Sequence, residues 1–260
     1  MRRWLMKSII LIVIISLSTP ISYASFIPQI DGLDNLHLVA ATQVFDSKGQ
    51  LLAKLFEENR IVVSINNISP YMAQAIIANE DSRFYDHIGI DPMGMLRAVI
   101  VNLRAGSLVE GGSTLTQQLA KNMFLTQERT FTRKIKEALL AIIIERKFSK
   151  QEILQEYLNQ VYFGEGAYGV ETGAQVYFGK HASELSLAES ALLAGLPRGP
   201  NIYSPYIDSK AALERRLTVL SGMVKQGYIT QEQANKAQSQ PIALAGKKKR
   251  AVQASYFLDY

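Results

Sequence analysis

The sequence predicts a mainly α protein with a short β element near its N-terminus, and three observations carry that reading. Apolar residues recur at helical spacing through most of the chain after Ser69. Helix starts are marked by Ser-Pro, Asp-Pro and S-x-x-E patterns. Alternation of apolar and polar residues is confined to positions 41–65. With 260 residues, 48% of them apolar, the chain can bury one sizeable core or two closely packed lobes.

Residues 1–30 come first. A basic start, "MRRWLMK", precedes the apolar run "IILIVIISL" and the small-x-small site "SYA", the pattern of an export signal. The same uncharged span is also long enough to stay as a membrane anchor, so cleavage and retention both remain open. Either way the basic flank stays in the cytoplasm and the remainder is exported. Residues 31–67 form a lead-in, in which alternation around "DSKGQ" predicts a small β-hairpin followed by another short strand.

Ser69-Pro70 then predicts an N-cap with proline at the first helical position. Asp91-Pro92 opens a second helix with Met95, Leu96, Val99, Ile100 and Leu103 on one face. A glycine-bearing loop leads to a third helix at Thr114, and residues 138–144 read as a helix buried on every side. Capping boxes at Ser149–Glu152 and Ser186–Glu189 start two more helices. Ile153, Leu154, Tyr157, Leu158 and Val161 share one face and read as core. "GLPRGPNIYSPY" reads as a loop, Asp208 caps the next helix, and Thr230–Gln233 starts the last. A basic linker occupies residues 246–260.

Composition removes several chemistries. Without cysteine there are no disulfides and no thiolate–metal sites. The three histidines are far apart and show no ligand spacing. A net charge of +5 suits an anionic partner, and export makes nucleic acid an improbable one.

Three stretches carry candidate chemistry. Met72, Ile76 and Glu80 lie four residues apart, so Glu80 continues an apolar stripe and, with Asp81, is either a solvated helix end or a carboxylate at a cleft. "EGGSTLTQQ" offers free amides and hydroxyls at a helix start, which fits an anion site or an ordinary N-cap. Gln117 and Gln118 need polar work on an otherwise packed helix. Lys121, Arg129, Arg133, Lys134 and Lys136 surround Glu137 beside the most hydrophobic helix, as a solvated charge run or an anion pocket.

Together these stretches resemble the peptidoglycan glycosyltransferase domain, glycosyltransferase family 51, found in class A penicillin-binding proteins and monofunctional transglycosylases. The family's E-D-x-x-F-x-x-H-x-G is matched by Glu80, Asp81, Phe84, His87 and Gly89. "GGSTLTQQ", "RKIKE" and "KQEILQEYLNQVYFG" match the next three motifs, and Arg215, Val219 and Leu220 the fifth. All five occur in order across residues 68–227, within a domain taken as 68–245.

The resemblance implies a lysozyme-like large lobe with a smaller membrane-associated lobe. It implies polymerisation of lipid II onto a growing lipid-linked glycan strand, on the extracytoplasmic face of the bacterial cytoplasmic membrane. Glu80 falls on the family's catalytic base and Glu137 on its second glutamate. Lys121, Arg129 and Arg133 fall on pyrophosphate-binding positions, Ser113, Thr114, Gln117 and Gln118 on the cleft lining, and Asp81, Phe84, His87 and Lys134 on supporting positions. Family members use Mg2+ at the pyrophosphate, although no ligand set stands out here. Other cell-wall synthesis proteins are expected partners. No S-x-x-K or K-T-G occurs, and the basic tail resembles the junction to a transpeptidase domain, so the chain reads as truncated. The competing functions are a muramidase or lytic transglycosylase that cuts glycan strands, and a non-catalytic module binding lipid-linked precursors.

Overall fold

The computed structural model describes residues 42–45, 51–55, 59–107, 111–125 and 130–246. The export segment, Arg129 and the tail after Gly246 lie outside them. The lead-in hairpin is formed by β1 (Thr42–Phe45) and β2 (Leu51–Leu55), antiparallel with a register shift at Val44/Phe45. The next strand, β3 (Asn59–Arg60), does not extend that hairpin. It pairs in parallel with β5 (Ala167–Tyr168), which pairs in antiparallel with β4 (Tyr162–Gly164). Beyond β3 the chain stays extended, but helix side chains replace a strand partner. Ile61, Val63 and Ile65 donate their backbone amides to Thr172 Oγ1, Asn159 Oδ1 and Gln155 Oε1, and Asn159 returns a bond to the Val63 carbonyl.

Helices make up the rest: α1 (Pro70–Glu80), α2 (Pro92–Ala105), α3 (Leu115–Phe124), α4 (Phe131–Lys147) and α5 (Lys150–Gln160) in the first half. The second half holds α6 (Val170–Phe178), α7 (Leu187–Gly195), α8 (Pro200–Tyr203), α9 (Ser209–Lys225) and α10 (Gln231–Ser239). The expected loop at 195–206 thus contains one helical turn. The mainly α expectation holds, with the β element confined to short pieces.

Capping follows the sequence at most starts. Ser149, Ser186 and Thr230 accept from the third helical amide through their hydroxyls and in return donate their own backbone amides to the side-chain oxygens of Glu152, Glu189 and Gln233. Asp208 accepts from two amides of α9. Ser69 departs from expectation. Pro70 does take the first helical position, but the Ser69 hydroxyl donates to the Leu185 carbonyl and caps nothing.

The core forms where α1 packs on α7 and α9, and α3 on α4 and α5. Met72, Ile76, Phe84, Leu119, Ile144 and Leu220 are fully buried in it. Burying such side chains contributes roughly 1.5–3 kcal/mol each. One apolar helix face stays uncovered, and one packing expectation fails. The α2 face of Met95, Leu96, Val99, Ile100 and Leu103 is exposed, Leu103 at 77%, and only Gly94 and Ala98 of that helix are buried. Helix α4 is buried along Leu140, Ala141 and Ile144, whereas Leu139 is exposed, because α3 and α5 cover only one side of it.

Candidate active site

Glu80 ends α1, and both of its carboxylate oxygens are held by neutral amides. Asn79 Nδ2 donates to Oε1 at 2.6 Å, and Gln118 Nε2 donates to Oε2 at 3.1 Å. Each amide is fixed from behind. Gln118 accepts from the Tyr157 hydroxyl at 3.2 Å, and burial, with Glu80 and Asp81 nearby, pushes that phenol's pKa up. Asn79 accepts from Arg215 Nη2 at 2.6 Å and donates to the Ala194 carbonyl at 3.0 Å. Burial and the Arg198 charge lower the pKa of Arg215, while Glu80 opposes them.

Asp81 faces the other way. It is buried, accepts from the Leu115 amide at 2.9 Å and contacts His87 Nε2 at 3.0 Å. Because His87 Nδ1 accepts from the Gly89 amide, the ring proton sits on Nε2 and points at Asp81. A carboxylate on the first turn of α3 is also favoured by that helix's dipole. Thr114 donates to the Gly89 carbonyl at 2.6 Å, and Gln117 closes a capping box onto Thr114. Gly89 has φ +94°, and a Cβ there would meet the Ala141 backbone at 2.6 Å. The motif loop therefore lies directly against α4, and only glycine fits that approach. Phe84 is core, with Lys150 4.5 Å over its ring.

Helix α4 supplies the cations. Glu137 is buried and holds Arg133 on one oxygen and Lys134 on the other, the latter at 2.8 Å. Lys134 reaches on to the Ser113 hydroxyl at 2.7 Å. Burial, then Arg133 and Lys121, lower the Lys134 pKa.

A cavity of about 650 Å³ opens between these groups. Glu80, Ser113, Gln118 and Lys121 line one part of it, and Arg198 and Arg215 another. Among the described lining residues Glu80 is the one carboxylate, against five cationic side chains, Arg97, Lys121, Arg198, Arg215 and Lys225.

The transglycosylase family matches residues 48–224, more than half of the chain. This chain belongs to that family. Penicillin-binding protein 1A of Aquifex aeolicus is 53% identical over 219 residues, covering 84% of this chain and 30% of that protein. Penicillin-binding protein 1A of Escherichia coli is 47% identical, covering 83% of this chain and 25% of its own length. Penicillin-binding protein 1F of Bacillus subtilis is also 47% identical, covering 82% and 30%. The chain thus spans under a third of the relatives' length. The crystal structure of penicillin-binding protein 1A from Haemophilus influenzae covers 82% of this chain and 22% of that one, at 25% identity and a TM-score of 0.46.

Within this transglycosylase the expected site residues separate into layers. Glu80, Ser113, Gln118 and Lys121 share the cavity. Lys134 touches it through Ser113, and Arg133 and Glu137 stand behind Lys134. Asp81, Phe84, His87, Thr114 and Gln117 frame the site from the protein side. Thr114 and Gln117, expected in the lining, have their polar groups engaged in helix capping instead. Sequence reading missed Asn79, Arg198 and Arg215 as cavity residues. Arg215 stood in the fifth motif, where a buried arginine was a usable signal; nothing local marked the other two.

Proposed function

We propose that this transglycosylase polymerises lipid II into glycan strands by inverting transfer. The observation that carries the reading is Glu80, held by two neutral amides at a cavity whose other charged groups are cations. Glu80 accepts the proton of the acceptor sugar's 4-hydroxyl, and that oxygen bonds to the donor's anomeric carbon. The anomeric C–O bond breaks and its electron pair leaves with undecaprenyl pyrophosphate. Lys121, with Lys134 and Arg133 behind it, stabilises the negative charge that develops there. Glycoside hydrolysis needs a second carboxylic acid for a poor leaving group, whereas pyrophosphate leaves without one. A single lining carboxylate facing cations supports transfer over strand cleavage.

Among the described residues no group of three or more Asp, Glu or His side chains is arranged to hold a metal ion, and Mg2+ at the substrate's pyrophosphate belongs to the same reading. The exposed apolar face of α2 supports contact of this domain with the cytoplasmic membrane on its extracytoplasmic side, where the lipid-linked substrate resides. No helix among the described residues is long and apolar enough to cross a membrane. Other cell-wall synthesis proteins belong to the same reading as partners.

The test is incubation of the protein with labelled lipid II in detergent, beside Glu80→Gln. Polymer from the wild type and none from the variant is the expected result. No polymer from the wild type, or full-rate polymer from Glu80→Gln, overturns it.

A further inference from the structure

We propose that Asn79 is a positioning residue for Glu80, one that delivers the hold of Arg215 and of the Ala194 carbonyl to the base. The inference rests on the reading of Glu80 as base. An asparagine amide can face either way, and its direction is set by its partners. Here two outside groups decide it. Arg215 can only donate, so it must meet Oδ1, at 2.6 Å. The Ala194 carbonyl can only accept, so it must meet Nδ2, at 3.0 Å. The remaining Nδ2 proton is then committed to Glu80 Oε1, at 2.6 Å.

Gln118 is committed differently. Tyr157 can donate or accept, so it is the carboxylate that obliges Gln118 to present Nε2. Together the amides occupy one acceptor position on each oxygen and fix the carboxylate plane. The lone pairs left over point to the cavity, where an incoming hydroxyl proton can be taken. Both amides donate, so both hold the carboxylate oxygens in the orientation a base needs when it acts.

Asn79 also ties α1 to α7 and α9, so loss of activity alone would not separate positioning from scaffolding. Asn79→Asp separates them. Its carboxylate keeps an acceptor for Arg215, as an ion pair, but presents an oxygen instead of a donor to Glu80 and to the Ala194 carbonyl. The charged and titratable groups around Glu80 and its cavity are otherwise unchanged: Arg215 and Lys225 on α9, Arg198 before α8, Arg97 on α2, Tyr157 on α5, Lys121 on α3 and Asp81 beside it.

The experiment measures lipid II polymerisation against pH, with melting temperature, for wild type, Asn79→Asp, Asn79→Leu and Glu80→Gln. Asn79→Asp is expected to melt lower than the wild type yet stay folded at the assay temperature, to lose roughly 10- to 100-fold in kcat per folded molecule, and to keep KM within about twofold. The acid limb of its rate profile is expected to move to higher pH, because a like charge replaces a donor. Asn79→Leu removes the acceptor for Arg215 Nη2, leaving Arg215 its Gly195 carbonyl and the Tyr203 ring, and is expected to lose stability as well as kcat. If Asn79→Asp keeps the wild-type kcat and acid limb, or loses activity only in step with its folded fraction, Asn79 is scaffold and the inference is overturned. If the wild type itself makes no polymer, the functional reading fails, and the inference fails with it.

Discussion

Glu80 and Glu137 both sit on helices near one cavity, yet their surroundings are opposite. Among the described residues, the hydrogen bonds to the Glu80 oxygens come from two neutral amides, and Glu80 lines the cavity. The oxygens of Glu137 meet Arg133 and Lys134, and it is buried behind them. A carboxylate at a cavity, held by neutral donors, is placed to meet an incoming hydroxyl; one neutralised by two cations becomes part of their scaffold. The difference teaches that a shared residue type in adjacent motifs does not imply a shared chemical role.

The largest effect should come from Glu80→Gln, which keeps size and polarity but removes the base. Polymerisation is expected to fall about 10²- to 10⁴-fold with the melting temperature unchanged. Glu137→Ala should behave otherwise, losing stability as well as rate, because it removes the buried carboxylate that Arg133 and Lys134 share. Since Lys134 is partly exposed, the cost is set at about 2 kcal/mol, below that for a fully buried pair. Urea denaturation of Glu137→Ala and of Glu137→Ala with Lys134→Met measures it, and the double variant should recover part of the loss. Equal stability of all three proteins would erase the contrast between the two glutamates.

Gly89→Ala probes what holds the two together. Strain at φ +94° and collision with the Ala141 backbone are expected to destabilise by about 2–3 kcal/mol, read by the same denaturation. Lys134 gives a pH signature. Its folded pKa is lowered by burial, Arg133 and Lys121, so the folded protein sheds that proton before the unfolded chain does. Between the folded and unfolded values the unfolded state binds more protons, so this group's contribution to stability rises with pH. Donor binding should go the other way: KM is expected to climb below the ordinary lysine range near 10.4, and Lys134→Arg should remove that limb. The smallest effect is Leu103→Gln, within about 0.5 kcal/mol on stability, while co-sedimentation with anionic vesicles falls.

Helices α1 and α2 explain what was legible. Each opens with proline at its first position and carries apolar residues at helical spacing. Sequence periodicity reports that a face seeks to leave water, not what will cover it. For α1 the cover is α7 and α9, whereas the α2 face stays open. Capping boxes were legible because donor and acceptor lie three residues apart, and Ser69 was misread because its partner, Leu185, lies 116 residues away. The same distance rule governs the site. Glu80, Ser113, Gln118 and Lys121 were visible through motifs, but Arg215 meets Asn79 across 136 residues, and no local pattern encodes that contact.

The pairing of β3 with β5 bears on the order in which the chain folds. The extended lead-in after β3 is secured by residues such as Thr172, 111 positions later than Ile61. Closing so long a loop costs entropy before any contact offsets it, so this seam is expected to zip last, after the helices have assembled their own short-range contacts. Pulse-labelled hydrogen exchange during refolding reads this directly: the Val63 and Ile65 amides should gain protection after those of α5 and α7. The seam would then act as the closing stitch of the domain, and the first to open under load.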